Sequence, residues 1–228
     1  MARHLVLLTF LLLGLGALAQ DSYIVAGIVV EGNKRTRERI ILRELTIHEG
    51  DALAFDFASV GTPMKIVGNL PYNISTPLLF HLASFHTHIY DMHFMLQKEV
   101  VERMVAAPGE SEFGRLSVML QYRFNMGRLF DVPPGAFRPA PKVMSSIVRM
   151  VPRPLAECAA SDYALLGKIV TAAFGQRRKT LRNTLKDLLD EAGFAALGVD
   201  PGLRGERLDV ATFVRIANYI AGQGAAAA

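Results

Sequence analysis

The stretch Ile66-Val67-Gly68-Asn69-Leu70-Pro71-Tyr72-Asn73-Ile74-Ser75 constrains this chain more than any other. Residues 65–68 end a short buried strand. Pro71 cannot extend that strand's ladder, because it has no N–H and its φ is fixed. The residue before a proline is held extended, so the Leu70 carbonyl is expected to point out of the turn. Ser75 then opens an amphipathic helix over 75–82 and is placed as its N-cap. A strand, a stiff turn and a helix in direct succession is the repeating unit of an α/β sheet with crossovers.

The rest of the chain repeats the alternation as far as a double proline mark. Residues 91–97 form a second apolar strand, 98–105 a helix, and 107–111 a loop. Residues 116–124 fit a helix or a buried strand equally, since a short apolar run has no diagnostic period. Residues 133–143 hold too many prolines for a helix, and 146–151 return to strand. Pro152-Arg153-Pro154 marks a boundary. Beyond it the patterns at 163–174, 179–192 and 210–221 are helical, and the tail at 222–228 is expected to fray. Hydrophobic residues make up 51% of the 228, which supports a packed core and excludes wholesale disorder. The single cysteine, Cys158, excludes a disulfide framework and a cysteine-rich zinc site.

The first fifty residues differ in character. Arg3, the apolar run over 5–18 and the small-x-small Ala17-Leu18-Ala19 have the form of an export signal over 1–19. An ordinary buried helix is the alternative. Residues 28–33 suggest a strand and turn, and 36–45 a helix with Thr36 as N-cap. Residues 45–48 suggest a further strand, with Asp51 at its carboxyl end, the edge where open α/β sheets bind ligands.

Several of these residues suit one chemistry. The amino group of adenine is a poor nucleophile, because its lone pair is delocalised into the ring. The Asn69 side-chain oxygen and the Leu70 carbonyl could each accept one amino hydrogen, favouring a tetrahedral nitrogen with its lone pair aimed at an electrophilic methyl. Tyr72 would stack on a base drawn out of its helix. Phe137, on the proline-rich loop, could form the opposite face. Asp51 could accept from an adenine amino group. The plainer readings are a proline turn with Tyr72 half buried, a loop anchor at Phe137 and a turn aspartate at Asp51. Arg177, Arg178, Lys179, Arg182 and Lys186 form a basic run suited to phosphate contacts, or else a solvated helix face.

Taken together, residues 51–221 resemble the small-subunit ribosomal RNA adenine-N6,N6-dimethyltransferase family. The resemblance rests on Gly50-Asp51-Ala52, Val67 through Ser75, and Met95-Leu96-Gln97-Lys98-Glu99-Val100. It continues in Gly114-Arg115-Leu116-Ser117-Val118, the segment from Phe137 to Val143, and the run from Phe174 to Asn183. It implies S-adenosylmethionine as methyl donor, with Asn69 and Asp51 at the cofactor and Asn69, Leu70, Pro71, Tyr72 and Phe137 at the target base. It implies that Arg177, Arg178, Lys179 and Arg182 meet ribosomal RNA, with Lys98, Arg115 and Lys142 as further contacts. The expected partners are small-subunit ribosomal RNA and the pre-ribosomal particle, met by a cytoplasmic monomer that needs no metal.

The expected fold is α/β: a truncated Rossmann-like methyltransferase sheet over 46–152, then a small all-helical RNA-binding domain over 153–228. The truncation is expected because no glycine-rich turn follows a predicted strand upstream of Asp51. Gly14 and Gly16 fall inside the signal-like segment. Residues 20–45 instead resemble part of a POTRA module, through Gly32-Asn33-Lys34-Arg35-Thr36 and Ile41-Leu42-Arg43-Glu44-Leu45. That reading makes the chain a chimera, with an export signal set against a cytoplasmic substrate. It leaves two alternatives to catalysis: an inactive RNA- or ribosome-binding remnant, or an exported fragment related to outer-membrane assembly.

Overall fold

The computed structural model describes residues 4–9 and 51–226, except residue 158. Among these residues five strands form one sheet: β1 (His4–Thr9), β2 (Met64–Asn69), β3 (Ile89–Gln97), β4 (Phe124–Val132) and β5 (Ser145–Pro152). Their order across the sheet is β1-β2-β3-β5-β4. The first three strands are parallel, and β5 runs antiparallel to both β3 and β4. The α-helices among the described residues are α1 (Ser75–Ser84), α2 (Lys98–Val105), α3 (Arg115–Arg123), α4 (Tyr163–Gly175), α5 (Leu181–Thr184), α6 (Glu191–Leu197) and α7 (Val210–Ala226).

Alternation along the strands decides which side chains reach the core. Ile66, Met92, Phe94, Leu96, Val148 and Met150 are wholly buried in one cluster with Leu78, Leu79 and Leu82 of α1 and Val101 and Met104 of α2. A second cluster joins α4, α5, α6 and α7 around Leu166, Ile169, Phe194 and Phe213. Helix α3 serves both clusters. Leu116 and Leu120 enter the first, and Val118, Met119 and Tyr122 the second. A helix apolar on every side has to be buried on every side, which explains why 116–124 has no clear period.

Several expectations are corrected. Part of the segment read as an export signal, His4–Thr9, is a strand paired in parallel with β2. The sheet therefore has a strand over 4–9, upstream of Asp51, where none was expected, while Gly14 and Gly16 lie outside the described residues. The strands expected at 28–33 and 45–48, the helix at 36–45 and the POTRA-like segment as a whole lie outside the described residues. Strand β4 went unforeseen because Gly127, Arg128 and Asp131 interrupt its apolar residues at an exposed edge. The N-cap of α1 is Ile74, and Ser75 turns its hydroxyl to the Tyr72 carbonyl (3.1 Å).

The single helix expected over 179–192 is two. The break spans residues 185–190 and ends where Asp190 caps α6 by accepting from the Gly193 N–H (2.8 Å). Gly198 closes α6 in the left-handed conformation (φ 63°), which glycine adopts without a Cβ penalty. Helix α7 continues to Ala226, through residues expected to fray.

Arg123, the last residue of α3, sits where the two clusters meet. Its guanidinium lies 4.4 Å from the centre of the Tyr163 ring and 5.2 Å from that of Tyr122. Its Nη1 is 2.9 Å from Nε2 of the buried His86. Burial first, and the Arg123 charge second, hold the His86 pKa below the ordinary imidazole value of 6.5. The folded state therefore binds its proton later than the unfolded chain does. The stability that depends on neutral His86 is whole above the unfolded pKa and is lost as pH falls from there through the folded value. The thermal midpoint is expected to drop on acidification below about pH 6.5. His86→Gln should flatten that part of the profile in a melting series across pH.

Candidate functional site

The site begins at the end of β2. Met64, Ile66 and Gly68 face inward, so Asn69, one residue on, faces outward. Its side chain is exposed, and no described residue hydrogen bonds to it. On either side the backbone is firmly held. The Leu70 N–H donates to the Met95 carbonyl of β3 (3.2 Å), and Leu70 as a whole is 1% exposed. Pro71 is buried, and its carbonyl accepts from the Ile74 N–H (3.3 Å). Among the described residues no backbone donor reaches the Leu70 carbonyl. An exposed carboxamide thus stands beside a buried carbonyl that no backbone donor reaches among the described residues, both on a rigid turn.

Tyr72 follows, 37% exposed as a residue, with its phenol 2.9 Å from Ser145 Oγ. Ser145 is the first residue of β5 and is itself buried. Strand pairing gathers the relevant ends at one edge of the sheet. Thr9 lies opposite Asn69, Asn69 opposite Met95, and both Gln97 and Val132 opposite Ser145. The 133–144 loop leaves β4 and enters β5 at that edge, carrying Phe137. Phe137 is half-buried, its N–H donates to the Pro134 carbonyl (3.1 Å), and its ring does not stack on Tyr72. Tyr72 thus lies on the turn at that edge, and Phe137 on a loop whose two ends are anchored there.

Two neighbouring interactions hold the stem of this loop. Ser146 Oγ donates to Asp131 Oδ1 (2.6 Å), and Lys98 Nζ lies 3.1 Å from Asp131 Oδ2. The Lys98 N–H donates to the Met144 carbonyl (2.9 Å). The Ser146 hydrogen bond first, then Lys98, with Arg128 adding charge, keeps the Asp131 carboxyl below the usual carboxylate range. Sequence reasoning missed Ser145, Ser146 and Asp131. Ser146 reads as the first residue of a strand and Ser145 as the residue before it, and nothing local reveals their distant partners.

Asp51 forms a turn. Its Oδ1 accepts from the Leu53 N–H (2.8 Å) and its carbonyl from the Ala54 N–H (3.0 Å). The strand expected to lead into it lies outside the described residues. The basic candidates divide into engaged and open. Lys98 is held by Asp131, and Arg182 by Glu191 (2.5 Å). Arg115 lies 5.5 Å over the Phe80 ring, and Arg177 donates to the Ser111 carbonyl. Arg178, Lys179 and Lys142 make no ion pair among the described residues. The Gln176–Lys179 segment borders an open hollow of about 310 Å³. Among the described residues no three metal-ligating side chains cluster, and no helix is long and apolar enough to cross a membrane.

Comparison with known proteins adds a second line. Residues 33–222 match the family model described as ribosomal RNA adenine dimethylase. The match starts inside the segment read as POTRA-like. A protein of Aromatoleum aromaticum named ribosomal RNA small subunit methyltransferase A is 72% identical over 187 residues, which are 82% of this chain and 71% of that protein. The Chromobacterium violaceum protein of the same name is 64% identical, over 80% of this chain and 70% of its own length. Among solved structures, a dimethyladenosine transferase from Plasmodium falciparum superposes with a TM-score of 0.67 at 24% identity, covering 82% of this chain and 77% of that one. The 23S rRNA methyltransferase ErmE gives 0.57 at 21%, covering 75% and 70%. These likenesses establish the fold as that of the α/β methyltransferases.

Proposed function

The chain belongs to the ribosomal RNA adenine dimethylase family, and on that premise we propose that it dimethylates N6 of two adjacent adenines in a hairpin loop of small-subunit ribosomal RNA. The observation that carries this reading is the open Asn69 carboxamide beside the Leu70 carbonyl, at the edge where the parallel strands end. Each group accepts one hydrogen of the target amino group. The nitrogen is then held tetrahedral, with its lone pair turned outward. Tyr72 and Phe137 stack on the two faces of the extruded base. Pro71 keeps the turn from adapting, so the geometry is set before the substrate arrives.

The donor set also fits S-adenosylmethionine. An exposed carboxamide offers both a donor and an acceptor to a polar ring. The carboxyl edge of parallel strands is where such ligands settle. Asn69 and Asp51 would hold it, and when bound it supplies the methyl group. Titrating the folded chain with S-adenosylmethionine by calorimetry is expected to give saturable heat at micromolar concentration, about −8 kcal/mol. A folded chain that gives no heat would contradict the reading.

Residues 46–152 serve as the methyltransferase part, and the helices over 153–228 dock ribosomal RNA within the pre-ribosomal particle. The work is done in the cytoplasm by a monomer. Arg178 and Lys179 are the chief phosphate contacts, with Lys142 beside the base. Arg177, Arg182, Lys98 and Arg115 already have protein partners and contribute less. Changing Arg178 and Lys179 together to glutamine should weaken RNA binding for any sequence. The slope of log affinity against log salt should fall by about one for each phosphate that is no longer neutralised. An unchanged slope in a filter-binding series over salt would remove these two residues from the interface.

A further inference from the structure

Two adjacent buried serines open β5, one bonded to Tyr72 and the other to the stem of the loop that carries Phe137. Ser145 is 1% exposed and Ser146 is 0% exposed. Side chains of consecutive strand residues point to opposite faces. Here that alternation sends one hydroxyl to Tyr72 (2.9 Å) and the other to Asp131 (2.6 Å). Asp131 is the next-to-last residue of β4, just before the loop that carries Phe137. Lys98 closes the arrangement from α2, with its ammonium on Asp131 and its N–H on the Met144 carbonyl, so both ends of the loop are tied to one residue.

Buried hydroxyls are expected to have partners, but these partners were not inevitable. Tyr72 is a 37% exposed residue and could have left its phenol in water. Its stacking ring is held instead at both ends, by the backbone of a proline turn and by a hydroxyl on another strand.

We propose that Ser145 and Ser146 are positioning residues for base capture: Ser145 fixes the plane of the Tyr72 ring, and Ser146, through Asp131, fixes the loop that presents Phe137. The proposal rests on the stacking roles given to those two rings above. Neither serine touches the substrate. Their effect is to hold the two faces of the slot at a fixed separation, so that the amino group arrives against Asn69 and Leu70. Misplacement by about an ångström costs rate while leaving the RNA-docking surface untouched.

The test is steady-state methyl transfer from labelled S-adenosylmethionine to unmethylated small-subunit particles. The variants are Tyr72→Phe, Ser145→Ala and their double, then Ser146→Ala, Phe137→Ala and their double. Tyr72→Phe and Ser145→Ala should each lower kcat by roughly ten- to a hundredfold, with KM for the particle unchanged. Their double should be no worse than the poorer single, because both remove the same bond. Ser146→Ala should lower kcat likewise, and should add nothing to Phe137→Ala. Tyr72→Phe removes only the phenol oxygen of a part-exposed ring, so it reports on this hydrogen bond even where a buried serine variant fails to fold.

Wild-type kcat in Tyr72→Phe, or losses that multiply in the doubles, would overturn the proposal. Tyr72→Ala separates it from the stacking reading. Loss of activity in Tyr72→Ala with full activity in Tyr72→Phe overturns the positioning role alone. Full activity in both overturns the stacking role as well.

Discussion

Asn69→Ala is expected to lower methyl transfer roughly 10²–10³-fold, the usual cost of removing one preorganised hydrogen-bonding group at a reacting centre. The alternation of β2 turns the Asn69 side chain outward, and no described residue bonds to it. Its removal leaves no cavity and no orphaned buried partner, so the thermal midpoint should move little. Exposed substitutions of this kind stay within about 0.5 kcal/mol. The Leu70 carbonyl remains to accept one amino hydrogen, so some activity should persist. Asn69→Asp keeps the acceptor and discards the donor, and adds a charge. It should fall between wild type and alanine if the acceptor is what matters. Initial rates at saturating methyl donor, with melting curves on the same samples, decide the point.

Phe94→Ala is expected to have the largest effect on stability. Phe94 lies on the central strand β3, opposite Gly68 of β2 and Val148 of β5, and is 0% exposed. Truncating a buried phenylalanine removes its transfer energy and leaves a cavity that the sheet cannot close, at about 3–5 kcal/mol. In a chain of this size each kcal/mol is worth roughly 2–4 °C of melting temperature. The midpoint should therefore fall by roughly 6–20 °C. Phe94→Leu, which keeps most of the volume, should cost far less. Truncating the exposed Phe130 of the sheet's edge strand to alanine should be nearly silent. Thermal or denaturant unfolding of the three variants distinguishes a packed first cluster from a loose one.

What was legible in the sequence was local chemistry. Pro71 announced the end of β2, and the turn, Asn69, Leu70 and Tyr72 lie together as their spacing required. The helices at 163 and 210 began where their patterns began. Context decided the rest. The run His4-Leu5-Val6-Leu7-Leu8-Thr9 fits the apolar core of an export signal and a strand of a parallel sheet equally well. Only its pairing with Met64–Asn69 separates the two. Strand β4 has one deeply buried residue, Phe124, and an exposed run, so its sequence lacked a strand's alternation. Residues 179–192 have helical composition throughout, yet Asp190 competes for the backbone and starts a new helix. Lys98 and Arg182 read as open cations, because the carboxylates that approach them most closely, Asp131 and Glu191, are distant in sequence or across a turn. The hydroxyl of Ser145, 73 positions from Tyr72, was beyond any local pattern.

The most direct measurement is the chemical identity of the product. Unmethylated small-subunit particles are incubated with the chain and S-adenosylmethionine, the RNA is digested to nucleosides, and adenosine products are resolved by mass spectrometry. The account predicts N6,N6-dimethyladenosine at two adjacent hairpin-loop positions, sharply reduced with Asn69→Ala. Absence of N6-methylated adenosine with the folded wild-type chain, or an undiminished yield with Asn69→Ala, would contradict it.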